Sequence, residues 1–431
     1  MAPERQRISI PYGAGSLEAD IPQGGTLFMG EFEELSALDD FKSTLLARLD
    51  QPTGTDPLRE LASGRANTLI LVDDNTRHTP VDRILPVLLD YLNESGLADE
   101  DIQILTASGT HRVMTDDEVL AKVGAEAHRR VTITQHDCRD LESIVEQDSV
   151  SSGASIIPVQ INRKVLDADL IIGLGSIFPH SDAGFTGGAK IVQPGVCGTT
   201  TTAATHIAAA LLDEIPLGDA DSLCRLGMEE VARKVGLDFI VNVIQDHRGH
   251  LLDIVAGDVV AAHRLGAEVS RRAHGVVVPE PADVVIVSSY PGDIDWWQAE
   301  KCLVAAYFAV KPGGFIVFAG PCYEGLVHNH PRLRDWLPLS FEEARTKAAG
   351  IDPADTEADL IAADVAIVNA KVREKATILM VTDGLSDADV ALLGYRRMPD
   401  LQSAVDRALE RASGGSVGVL PYGGICLPIV G

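Results

Sequence analysis

The chain has six cysteines (Cys138, Cys197, Cys224, Cys302, Cys322 and Cys426), but no C-x-x-C pair and no dense cysteine framework. That argues against a disulfide-stapled secreted scaffold and fits a reducing cytoplasm. Basic residues are also scarce: 36 Lys and Arg face 63 Asp and Glu, a formal net charge of −27. Binding a phosphate backbone draws on a basic face and the counterions it releases, so a nucleic-acid partner is not expected. Long apolar runs are missing too. None approaches the ~18 residues of a membrane span, and Met1-Ala2-Pro3-Glu4-Arg5-Gln6-Arg7 lacks the apolar core of a signal peptide. The expectation is a cytoplasmic protein with no membrane partner.

What the chain does contain suits a large core: 45% of its residues are hydrophobic and 23% charged. At 431 residues it exceeds one ordinary core, so two domains are expected. Ile8–Tyr12 and Ser16–Ile21 read as a small hairpin, followed by an acidic helix over roughly 32 to 49. A rhythm of apolar runs, polar or glycine-rich loops and helical patterns then begins. Thr68–Val72 leads to Asp74-Asn75-Thr76-Arg77, Ile102–Thr106 to Gly109-Thr110-His111-Arg112, and Leu170–Ile172 to the loop holding His180. Short buried strands alternating with helices indicate mainly parallel sheets, whose ligands sit beyond the strands' carboxyl ends. A second series opens at Ala282–Val287 and continues with Gly314–Ala319, Ala376–Val381 and Ser416–Leu420. The fold class is α/β: two α/β domains, residues 1–274 and 275–431, with a cleft between them. The stretch Val276–Pro281 reads as their connector.

The stretch Pro179-His180-Ser181-Asp182-Ala183-Gly184-Phe185-Thr186-Gly187-Gly188-Ala189-Lys190 concentrates chemistry. It lacks the glycine spacing and the Lys-Ser/Thr ending of a P-loop, so ATP hydrolysis is not expected. Lys190 reads either as a surface charge or as an amine held against a ligand. His180 and His206 lack the companions of a zinc site, so a metal here would need ligands beyond the usual protein set. Histidines at two strand ends, His111 and His180, can take and return protons near neutral pH, although each alone also reads as a loop histidine. Arg77 offers a planar fork for a carboxylate, or else an ion pair where a helix begins. Asp74 reads equally as the N-cap of the following helix. Lys301 falls on a helix one turn after Trp297, beside Gln298, or is simply solvated. His328-Asn329-His330 is explained by a polar loop before Pro331.

Taken together, Asp74-Asn75-Thr76-Arg77, Gly109-Thr110-His111-Arg112, Pro179-His180-x-x-Ala183-Gly184-x-x-Gly187-Gly188-x-Lys190, Pro194-Gly195 and His206 resemble the nickel-dependent lactate racemase family. The resemblance implies a two-domain α/β enzyme that racemises or epimerises a 2-hydroxy acid with a nickel-pincer nucleotide, a pyridinium mononucleotide carrying two sulfur groups. The N-terminal domain would bind the cofactor and the C-terminal domain would close the substrate cleft. The resemblance implies a tether at Lys190, nickel ligation by His206, and acid/base roles for His111 and His180. It also implies cofactor contact by Asp74 and substrate binding by Arg77, Lys301, Gln298 and Trp297. Separate accessory proteins would make the cofactor. His78 stands where the family often has proline, and Trp297 stands where lactate racemase has a tyrosine. An indole is bulkier and lacks the phenolic hydroxyl, so the pocket beside substrate C3 should differ. Two alternatives stay open: a sugar-acid 2-epimerase using the same site, and a non-catalytic carrier of the nucleotide.

Overall fold

A computed structural model describes residues 4–153 and 155–431. Two six-stranded sheets organise it. The first runs Leu251–Gly257, Phe239–Gln245, Leu170–Ser176, Thr68–Asp73, Ile102–Ala107, Thr132–Gln135. All its neighbours are parallel except the first pair. Every residue of Thr68–Asp73 and of Leu170–Ser176 is buried. Both strands are central and covered on both faces, which accounts for their continuous apolar character. The second sheet is parallel throughout: Arg396–Arg397, Thr377–Val381, Val310–Ala319, Ala282–Ser288, Val417–Leu420, Thr26–Met29.

Local chemistry sets the helix starts. Thr115 caps the helix Asp116–Arg130, and Glu118 returns the bond to the Thr115 N–H in a capping box. The expected acidic helix over 32 to 49 is shorter and begins later, at Phe41–Asp50, because Asp40 accepts from the Ser43 N–H and fixes the start there. Before it, the Leu38 N–H is taken by the carbonyl of Leu251, which holds that stretch against the first sheet instead.

Three further features depart from the sequence expectation. The strand Leu251–Gly257 returns antiparallel to Phe239–Gln245. The strands Ile144–Ser152 and Ser155–Asn162 form a separate hairpin. The expected connector begins as a strand, Gly275–Val278, which pairs in parallel with Leu427–Val430.

The N-terminal residues also sit apart from the rest of 1–274. Arg5–Tyr12 and Gly15–Pro22 form the expected hairpin, and Thr26–Met29 is an edge strand of the second sheet. The cause is apolar complementarity: Ile8, Ile10, Ala19 and Ile21 share one buried cluster with Val284, Ile286 and Val317. Ile10 is fully buried there, so Ile10→Ala should cost about 2–5 kcal/mol of unfolding free energy in a denaturant titration. A loss under about 0.5 kcal/mol, the scale of an exposed substitution, would contradict this packing.

Candidate active site

Three neighbouring parallel strands, Leu170–Ser176, Thr68–Asp73 and Ile102–Ala107, end at the same edge of the first sheet. The loops that follow carry His180, Arg77 and His111. Eight of the nine residues singled out in the sequence line one cleft enclosing about 920 Å³, part of it open to solvent. They are Asp74, Arg77, His111, His180, Lys190, His206, Trp297 and Lys301. Gln298 stands behind this lining and joins two of its members: its Oε1 accepts from Lys301 Nζ at 2.5 Å, and its Nε2 lies 3.1 Å from His111 Nε2.

The loop from His180 to Lys190 is held in shape from outside. Arg225, fully buried on the helix Leu223–Val235, donates to the carbonyls of Ala183 at 3.2 Å and Gly187 at 3.0 Å, and to that of Phe185. Asn242 Oδ1 accepts the Gly188 N–H at 2.8 Å, and His263 Nε2 donates to the Thr186 carbonyl at 2.9 Å. Gly184 has φ +69°, and a Cβ there would fall 1.8 Å from the carbonyl oxygen of Asp219, so only glycine fits. Arg225, Asn242 and His263 escaped sequence reading because they lie far along the chain from the loop. Each looks like an ordinary helix or strand residue until the fold brings it there.

The histidines differ in hydrogen bonding, and that assigns their tautomers. His111 Nδ1 is 2.7 Å from Asp74 Oδ2, so it donates to the carboxylate and leaves Nε2 as the bare nitrogen. The neighbouring Gln298 amide nitrogen suits that assignment. His180 Nδ1 instead accepts the Asp182 N–H at 3.2 Å, which places its proton on Nε2. Burial, then the charges of Lys190, Lys301 and Arg77, push the His180 pKa well below the ordinary imidazole value. His206 lies on the helix Thr199–Ala210 and donates from Nδ1 to the Thr202 carbonyl at 3.0 Å, leaving Nε2 as a free lone pair. Burial and then Lys190 lower its pKa, so the ring is neutral.

Asp74 does not cap the following helix, which starts after Pro80. Its Oδ2 engages His111 and its Oδ1 accepts from the Thr76 N–H at 3.0 Å and from the Thr76 hydroxyl. Both oxygens are therefore occupied by protein. Burial would raise this carboxyl, but the charges of His111 and Arg77, with the bonds from His111 and Thr76, hold it below the usual carboxylate range. The Arg77 guanidinium lies over the Phe178 ring at 5.5 Å and donates to Thr76. Trp297 stacks on His330 at 4.5 Å and 7°, and His330 Nδ1 reaches Asp359 Oδ1 at 2.9 Å. His328 pairs with Glu324. The two loop histidines thus have separate structural partners.

Lys190 sits on the short turn of helix Gly188–Ile191. Burial, with the Arg77 charge next in weight, lowers its pKa to about 7. An ordinary lysine is almost wholly ammonium at pH 8, whereas Lys190 is mostly free amine there. Lys301 is also lowered, by burial and then by Arg77. Among the described residues, no group of three or more His, Cys, Asp or Glu is arranged to hold a metal. A limiting amine-selective reagent applied to the apoprotein should therefore modify Lys190 with a midpoint near pH 7, read by peptide mass. A midpoint near 10, shared with surface lysines, would contradict the burial argument.

Comparison with known proteins agrees along almost the whole chain. Residues 12–215 match the lactate racemase N-terminal domain family and residues 277–426 the lactate racemase C-terminal domain family. Lactate racemase of Thermoanaerobacterium thermosaccharolyticum is 30% identical over 441 residues, covering 96% of this chain and 97% of its own. Lactate racemase of Lactiplantibacillus plantarum is 30% identical over 420 residues, covering 94% of each chain. The structure of the Thermoanaerobacterium lactate racemase apoprotein superposes with a TM-score of 0.86 at 28% identity, over 98% of this chain and 100% of that one. A Thermotoga maritima protein at 20% identity and TM-score 0.71, over 92% of this chain and 100% of that one, shares the fold. No helix among the described residues is long and apolar enough to cross a membrane. The chain belongs to the lactate racemase family and is a racemase, an isomerase.

Proposed function

We propose that this protein inverts C2 of a 2-hydroxy acid, with His111 and His180 exchanging the hydroxyl proton and a nickel-pincer nucleotide as cofactor. The observation that carries the reading is the placement of two histidines, hydrogen-bonded through Nδ1 in opposite senses, in one cleft with Arg77, Lys190, Lys301 and His206. The donor set fits the cofactor. His206 offers one neutral nitrogen, which suits a metal that arrives with its other donors, and Lys190 offers an amine of lowered pKa for attachment. When bound, the cofactor supplies a reversible hydride acceptor for the C2 hydrogen.

The remaining work belongs to side chains. Arg77 and Lys301 bind the carboxylate and fix C2 in the cleft; their mutual repulsion is relieved when the anion enters. His111, with Asp74 holding its Nδ1 proton, presents a bare Nε2 that takes the hydroxyl proton. Asp74 thus acts through His111, orienting the ring and stabilising its charged form, rather than through the cofactor. His180, charged by a proton taken from solvent, gives that proton up readily among the surrounding cations and delivers it on the second side, while His111 releases the hydroxyl proton to solvent. For the opposite enantiomer the two roles exchange. Trp297, backed by His330, forms the wall where the substrate's third carbon would lie. The first sheet supplies the proton-transfer and cofactor side chains, and the half built on the second sheet closes the cleft with Lys301 and Trp297.

Holoenzyme made together with the cofactor-building accessory proteins should invert single-enantiomer 2-hydroxy acids in deuterated water and keep the original hydrogen at C2. Deuterium at C2 after turnover would sink the hydride route in favour of simple proton abstraction. Asp74→Asn should lower kcat by about 10²–10⁴, because an amide donor at Nδ1 moves the His111 proton to Nε2 and removes the base. Cofactor content measured by absorbance should remain that of the unaltered protein. Loss of cofactor with this variant would instead return Asp74 to the nucleotide.

A further inference from the structure

Among the carboxyl groups lining the cleft, Asp364 and Glu300 have no task in the mechanism above. Asp364 lies on the helix Leu360–Lys375, which packs against the helix bearing His206, and it lines the cleft between Ile361 and Val365. It is only 2% exposed, and its Oδ1 has no hydrogen-bond partner. Glu300 lines the same cleft and is 4% exposed. Asp182 lines the cleft with them, and apart from burial the largest influences on Asp364 are the carboxyls of Asp182 and Glu300. Lys371, on the same helix, is turned away to the carbonyls of Ala210 and Leu212.

A buried carboxyl without a partner destabilises a fold, and the flanking Ile361 and Val365 cannot satisfy it. A ligand seated in the cleft that Asp364 lines can supply that partner. A cationic ligand would face Arg77, Lys190 and Lys301 in the same space. Burial pushes both Asp364 and Glu300 toward their neutral forms, which accept and donate hydrogen bonds as hydroxyl groups do. Acidic side chains commonly hold the hydroxyls of a ribose.

We propose that Asp364, with Glu300 near it, forms a binding site for vicinal hydroxyls of the ligand seated in the cleft. The proposal rests on the racemase reading above and extends it. Two ligands carry that chemistry there: the ribose of the nucleotide, and a polyhydroxy acid substrate with hydroxyls beyond C2.

Asp364→Leu and Asp364→Asn, each made with the accessory proteins, separate these sources. Cofactor content after dialysis, by absorbance and intact mass, reads the ribose. The ratio of kcat/KM for a four- to six-carbon polyhydroxy acid to that for lactate reads the substrate. The melting temperature of the apoprotein reads stability alone. The expected result for Asp364→Leu is an apoprotein that melts at or above the unaltered one, with a tenfold or greater loss either of retained cofactor or of the polyhydroxy ratio. Asp364→Asn, which keeps polar atoms in place, should lie between. The proposal is overturned if Asp364→Leu changes both ligand readouts less than twofold, or if its apoprotein melts several degrees lower, which would make the carboxyl structural. Failure of the unaltered holoenzyme to invert any 2-hydroxy acid would overturn the racemase reading instead. Cofactor retention and apoprotein melting would still decide the role of Asp364.

Discussion

The structure depends on keeping Arg77, Lys190 and Lys301 together in one cleft that is only partly open to solvent. Each charge raises the cost of the others, and burial raises it further, which is why both lysines are depressed toward their free-amine forms. The fold tolerates this because its two sheets supply the rigid frame and nearby carboxyls supply partial compensation. A cleft of this kind favours an anion that sits across the cations, and the carboxylate of a 2-hydroxy acid has that character.

Holding the cations is a task for glycine geometry and for remote side chains. The loop from His180 to Lys190 turns sharply at Gly184 and Gly187, both with positive φ, and its carbonyls point outward to Arg225. The carbonyls of Ala183 and Gly187 also accept the N–H groups of Phe185 and Lys190 within the loop, and Arg225 adds a donor from outside it. One guanidinium bonds three of the loop's carbonyls and so fixes where His180 and Lys190 stand relative to His206. Arginine's planar fork makes that possible; a lysine has one donor centre and could not span three acceptors.

The second half of the chain supplies one wall of the cleft. Trp297 is held flat against His330, and His330 in turn by Asp359, so the indole is a fixed wall. A stacked pair on a buried carboxylate resists rotation more than an unsupported tyrosine would. Gln298 joins this wall's helix to the loop of His111, since it bridges Lys301 and His111. The Lys301 ammonium and the bare nitrogen of His111 are therefore linked through one amide.

The alternation of buried strands and helices, the parallel sheets and the strand ends carrying Arg77, His111 and His180 were legible in the sequence. Each of them is written in local patterning, in runs of Val, Leu and Ile followed by turn residues. Chain order also brought Lys190 and His206 under suspicion. Tertiary structure alone decided the rest. It gave Thr26–Met29 to the second sheet, because its pairing partner Val417–Leu420 lies nearly 400 residues away. It made Asp74 the partner of His111 instead of a helix cap, and gave the two histidines opposite tautomers, since hydrogen bonds between distant loops have no signature in sequence. It also left Asp364 buried in the cleft with an unpartnered oxygen, where the sequence shows only an acid within a helix. Periodicity reports which face of an element is buried. Only the packed fold shows what that face meets.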